Sequence, residues 1–149
     1  MTTSTIKSAQ ILLVEDNEGD IILTKEAFEE SGAVVDISVA RNGQEALDFL
    51  YKRGASAKVD RPDLILLDIN IPVYNGHEVL KEIKNDSNLK SIPVIMLTTS
   101  NNQKDINLAY KNHCNSYVKK PLDLSDFLQV ILTIEQFWLQ VSLPAKLQN

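Results

Sequence analysis

The sequence has one cysteine, no basic cluster and no long apolar run, and each shortage excludes something. Cys114 has no second cysteine to pair with. A disulfide framework is therefore excluded, and the expected setting is a reducing cytoplasm. A small buried hydrophobe is the simplest reading of that thiol. A net charge of −5 without clustered lysine or arginine argues against nucleic acid as a partner. No apolar stretch approaches the roughly 20 residues a membrane span needs. The opening residues, MTTSTIKSAQ, lack the apolar segment of a secretory signal. There is no internal repeat and no low-complexity tract.

What is present is one domain's worth of chain: 149 residues, 44% hydrophobic and 23% charged. Five short apolar runs stand out at ILLV (11–14), VVDISV (34–39), LILL (64–67), PVIML (93–97) and SYV (116–118). Segments with helical spacing separate them. Ile22, Leu23, Ala27 and Glu30 mark the first, closed by Ser31-Gly32. Asn42 with Glu45 resembles a capping box opening the second, whose apolar face is Ala46, Leu47 and Leu50. Val79, Leu80 and Ile83 mark the third, and Ile106, Ala109, Tyr110 and His113 the fourth. Leu124 to about Leu139 is expected to be the longest and most apolar. This alternation predicts an α/β fold, (βα) five times over, with a doubly wound five-stranded parallel sheet covered on both faces. The expected domain is 10–140, with a polar lead-in at 1–9, a surface loop at 52–62 and a tail at 141–149.

Ligands of an open parallel sheet sit beyond the carboxyl ends of its strands. There the chain places Glu15-Asp16, Asp68, Thr98 and Lys120, after the first, third, fourth and fifth runs. In the flavodoxin-like strand order 2-1-3-4-5, the first and third strands are neighbours, so Glu15, Asp16 and Asp68 meet. Three adjoining carboxylates repel one another and raise their pKa values. A divalent cation relieves this, and hard oxygen donors with room for water suit Mg²⁺. Asp68, buried after four aliphatics, would then be compensated by the ion and by Lys120. Singly, these residues read as caps, a strand-end hydroxyl and a solvated charge. Their coincidence on one rim favours a site.

The motifs ILLVEDN, DLILLDINIPVYNG, IMLTTS and YVKKP, in that order, resemble the receiver domain of two-component response regulators over about residues 9 to 140. DINIPVYNG sets an aspartate eight residues before a glycine with a proline between. The C-terminal IEQFWLQVSLPA is most similar to the small response regulators that serve cyanobacterial phytochrome kinases. The resemblance implies that Asp68 accepts a phosphoryl group from a sensor histidine kinase of phytochrome type. It implies Mg²⁺ held by Asp16 and Asp68, by the Asn70 backbone carbonyl, and by Glu15 through water. Lys120 and Thr98 would contact phosphoryl oxygens, and Tyr117 would turn inward as Thr98 moves. A cis peptide at Lys120-Pro121 would aim the ammonium. Such a protein is a signalling phosphoacceptor rather than a turnover enzyme, with output through protein contacts. Thr99 departs from the usual alanine or glycine and narrows the mouth of the site, and Asn70 and Ser100 flank the path of a hydrolytic water.

Other classes fit less well. A haloacid-dehalogenase-like Mg²⁺-dependent phosphatase wants a second aspartate two residues after the nucleophile, where this chain has Asn70, and its nucleophile lies on the first strand. An FMN module wants a phosphate-binding loop after the first strand, where EDNEGD repels phosphate. A receiver kept only for binding would not need Asp16, Asp68, Thr98 and Lys120 together. His77 and His113 read as ordinary helix residues. The apolar positions of the last helix, Phe137 and Trp138 among them, wrap beyond the roughly 100° stripe that one sheet covers. That surplus predicts a homodimer through Phe137 and Trp138, unless the tail folds over it, and the resemblance to receiver domains implies a dimer face that also carries Tyr117.

Overall fold

The structure is a computed structural model that describes residues 8–52 and 60–141. Most of the expected lead-in, most of the 52–62 loop and the tail from 142 lie outside the described residues. So does the alternative in which the tail covers the last helix.

Five strands form one parallel sheet: β1 (Ala9–Val14), β2 (Val35–Ala40), β3 (Leu64–Leu67), β4 (Val94–Thr98) and β5 (Ser116–Lys119). Their spatial order is β2-β1-β3-β4-β5, the doubly wound arrangement expected. The helices between them are α1 (Glu18–Ser31), α2 (Gly43–Leu50), α3 (Gly76–Asn85), α4 (Gln103–Lys111) and α5 (Leu124–Ile134). None is long and apolar enough to cross a membrane.

Alternation along each strand divides the core. Leu12, Val14, Ile65, Leu67, Val94 and Met96 face one way, against Ala46 and Leu50 of α2, Val79, Leu80 and Ile83 of α3 and Ala109 of α4. Ile11, Leu13, Leu64, Leu66, Ile95 and Leu97 face the other, against Ile21 and Phe28 of α1 and Phe127, Ile131 and Ile134 of α5. Burial on both faces is why β3 and β4 read as continuous aliphatic runs rather than as alternating ones.

Local chemistry sets the helix ends. Asn42 caps α2 by accepting from the Glu45 amide at 2.8 Å. The Glu45 carboxylate, however, takes the Arg41 amide at 3.2 Å instead of the cap's own. The complete capping box lies in α3, between Asn75 and Glu78. α4 ends at Lys111, so His113 lies outside the helix it was expected to mark. His113 adopts φ +68°. Its amide donates to Tyr110 O and that of Cys114 to Ala109 O, each at 3.0 Å. This Schellman closure needs a left-handed residue, and His occupies the place usual for Gly or Asn. The last helix also differs from expectation. α5 is 11 residues, shorter than the 14 of α1, and continues as a π-helical stretch over Glu135–Val141.

At the opposite end of the sheet from the strand-end acids, Lys84 of α3 donates to Lys90 O, Ile92 O and Asn115 Oδ1 at 2.9–3.1 Å. Beside it, burial pushes the Cys114 thiol from 9.0 up to about 11. Burial of the neutral form contributes stability below pH 9.0 that is lost as pH climbs through about 11. At pH 8 the native chain should react with iodoacetamide about 100-fold more slowly than an ordinary thiol. Denaturation should restore the ordinary rate. Equal rates before and after unfolding would contradict the burial.

Candidate functional site at the carboxyl edge of the sheet

Because β1, β3, β4 and β5 run parallel, their carboxyl ends share one rim. The residues that follow them converge there although up to 105 positions separate them in sequence. Glu15, Asp16 and Asp68 each offer a carboxylate oxygen within 4.8 Å of the others. Such a set fits one hard divalent cation with room for water ligands.

Lys120 lies at the centre. Its side chain is 5% exposed, and its ammonium contacts Glu15, Asp20 and Asp68. The Asp20 and Asp68 contacts are 3.0 and 3.2 Å, and the Glu15 contact is closer. Burial by itself would lower the Lys120 pKa, but the hydrogen bond it donates to Glu15 and the charges of Asp68 and Glu15 hold it above its usual value. Burial pushes the Glu15 carboxyl up from 4.5 to about 7, with Asp68 adding to the rise and Lys120 opposing it. The other Asp68 oxygen accepts from the Ile69 amide at 2.8 Å. Asp68 is thus compensated from both sides, as its position after LILL requires.

The β3–α3 loop can fold back over the site because Gly76 has no side chain. A Cβ there would lie 2.2 Å from the Asp68 carbonyl oxygen. Thr98 is fully buried, and Asn70 and Thr99 are exposed on the rim. The Tyr117 hydroxyl donates to Ser100 O at 2.9 Å, which ties β5 to the β4–α4 loop. Ser100 Oγ donates to Asp105 at 2.6 Å, and His77 Nε2 meets the other Asp105 oxygen at 2.9 Å. These bonds, Ser100 first, hold the Asp105 carboxyl below its usual value. His77 is thus a residue of α3, as expected, and its ring joins α3 to α4. The cis peptide expected at Lys120-Pro121 is corrected: no cis bond occurs among the described residues. Trans is the lower-energy form before proline by about 0.5–1 kcal/mol, and from it the ammonium already reaches its carboxylates.

Asp20 was not anticipated. It sits in the first turn of α1, where an acid reads as a favourable charge at a helix start. Glu15 takes the amide of the Asn17 cap, so Asp20 does not play the capping-box part its position suggests.

The response regulator receiver domain model matches residues 11–132. The chain belongs to that family. It is 43% identical over 136 residues to the response regulator Rcp1 of Synechocystis sp., covering 91% of this chain and 92% of that one. It is 37% identical over 121 residues to the polar-differentiation response regulator DivK of Brucella anthropi, covering 81% of this chain and 91% of that one. Among solved structures, the phosphorylated cyanobacterial phytochrome response regulator RcpA superposes with a TM-score of 0.90 at 44% identity, covering 94% of this chain and all of that one. The Mn²⁺-bound form of Rcp1 gives 0.88 at 40% identity, covering 93% and 99%. The chain is a receiver with a phosphoacceptor role in two-component signalling, and membership of this family sets the phosphatase alternative aside.

Replacing Lys120 with Met leaves Glu15, Asp20 and Asp68 without their shared cation. The loss should be about 3 kcal/mol in metal-free urea unfolding. Adding a divalent cation should restore more stability to the variant than it adds to the parent. An unchanged urea midpoint would show that the ammonium does not hold the cluster.

Proposed function

We propose that Asp68 is the phosphoacceptor of a single-domain response regulator spanning about 10–140, acting in the cytoplasm on signals from a phytochrome-type histidine kinase. The observation that carries the assignment is the buried Asp68 carboxylate beside the Lys120 ammonium, within a carboxylate cluster suited to a cation. The similarity to Rcp1 and RcpA supports the choice of kinase.

In this reading an Asp68 oxygen attacks the phosphorus of a phosphohistidine. The P–N bond breaks, its electron pair leaves on the imidazole nitrogen, and an acyl phosphate forms. Asp16 and Asp68, the Asn70 carbonyl and Glu15 through water would hold Mg²⁺, which when bound screens the charge of the phosphoryl group. Lys120 pairs with one phosphoryl oxygen and the Thr98 hydroxyl with another. Thr98 movement reaches Tyr117, whose hydroxyl is bonded to Ser100 O in the same loop. Thr99 narrows the entrance, and Asn70 and Ser100 flank the hydrolytic path. The protein turns over no separate substrate beyond its own phosphorylation and hydrolysis, and its output is a protein contact.

The contact proposed is a homodimer through β5 and the last helix. Phe137 is 52% exposed and Leu124 54%. Val118, Val130 and Ile134 line an apolar groove between β5 and α5. Phe137 and Trp138 stack edge to face at 5.1 Å. An exposed Phe137 near an apolar groove suits a buried contact, and Tyr117 is the neighbour of Val118 along β5, packed on the other face of the sheet.

Two outcomes are expected. Asp68→Asn, nearly isosteric, should abolish labelling by a phosphorylated kinase while the fold persists. Continued labelling would remove Asp68 from the assignment. In sedimentation at micromolar concentration the parent should run as a dimer, and the double variant Phe137→Ala with Trp138→Ala as a monomer. A monomeric parent, phosphorylated or not, would assign the face to another partner.

A further inference from the structure

The first turn of α1 departs from the pattern its sequence suggests. Asn17 caps the helix by accepting from the Asp20 amide at 2.9 Å. In a capping box, the acid at that third position turns back to the cap's own amide. Glu78 does so in α3, accepting from the Asn75 amide at 3.1 Å. In α1 the Asn17 amide is instead taken by Glu15 Oε2 at 3.2 Å. Asp20 is thereby released from capping, and its carboxylate reaches across to Lys120 Nζ at 3.0 Å. Its backbone is fixed by Thr24 Oγ1, which donates to Asp20 O at 2.7 Å.

The three partners of Lys120 are not equivalent. An ammonium has three protons, and Glu15, Asp20 and Asp68 share them. A phosphoryl oxygen bound by Lys120 must therefore displace one of the three. Glu15 and Asp68 belong to the carboxylate cluster, whereas Asp20 lies outside it. Exposure separates them further. The Glu15 side chain is 3% exposed and its Oε1 would be stranded without Lys120, while Asp20 is 30% exposed and returns to water at little cost.

We propose that Asp20 is a positioning residue for Lys120. It holds the ammonium at the site in the unphosphorylated receiver and surrenders it to the phosphoryl oxygens. This rests on Asp68 being the acceptor. Asp20 touches neither the reacting phosphorus nor Asp68; it sets how readily Lys120 is given up. Removing its charge leaves Lys120 with one competitor fewer, so a phosphoryl group on Asp68 is bound more tightly.

Beryllofluoride, a phosphoryl mimic that adds to a carboxylate, provides the test. Its affinity is read by fluorine NMR on the full chain at saturating Mg²⁺. Asp20→Asn should tighten binding about threefold to tenfold, the scale of one charge-assisted hydrogen bond at a partly exposed site. Asp20→Glu, which keeps the carboxylate, should stay near the parent. In a Lys120→Met background, Asp20→Asn should have no effect, because the cycle removes the group through which it acts. Unchanged or weaker binding in Asp20→Asn overturns the proposal. So does an equal gain in the Lys120→Met background, which would reduce Asp20 to a general field. If the parent fails to bind beryllofluoride while Asp68→Asn is equally silent, the acceptor assignment itself fails, and this proposal with it.

Discussion

One buried ammonium holds the functional edge together. Three carboxylates gathered at the ends of β1 and β3 and at the start of α1 would repel one another if left alone. Lys120, carried in from the end of β5, is the cation that lets them stay. Other features of the edge accommodate this cluster. Gly76 allows the β3–α3 loop to pass over Asp68, and the Ile69 amide satisfies the Asp68 oxygen that Lys120 does not reach. The arrangement is also unfinished. One positive charge faces several negative ones, so the site retains a demand for further cation that a divalent ion meets.

Most of this edge could be read from the sequence because strand ends are legible. A parallel strand buried on both faces is a run of aliphatics, and its first polar residue marks where it emerges. Asp68 after LILL and Thr98 after VIML were found that way. Asp20 was not, since an acid in the first turn of a helix already has an ordinary explanation. Which carboxylate takes the Asn17 amide is decided by three-dimensional reach rather than by residue type. His113 was misplaced for a similar reason. Its spacing continues the apolar stripe of α4, but the chain had already turned into a Schellman closure. The His77 pairing with Asp105 joins α3 to α4 over 28 residues and has no local signature.

The last helix shows how a change of winding redistributes the same side chains. Through α5, Phe127, Ile131 and Ile134 lie at helical spacing on the sheet. From Glu135 the turn widens. Glu135 is buried, with Gln140 donating to its carboxylate. Trp138 and Leu139 still pack partly on the core, while Phe137 projects outward. An α-helical stripe extrapolated past Ile134 therefore does not say which of the apolar positions faces out.

The ammonium and its acids have a bearing on the life of the newly made chain. Lys120 is 105 residues from Glu15 and 52 from Asp68. Their contact closes only after β5 has docked on β4, the outermost pairing on that side of the sheet. A chain with β1 to β4 paired and β5 undocked has the Asp68 carboxylate but lacks the cation that steadies it. The carboxylate cluster is thus complete only when the last strand of the sheet is in place.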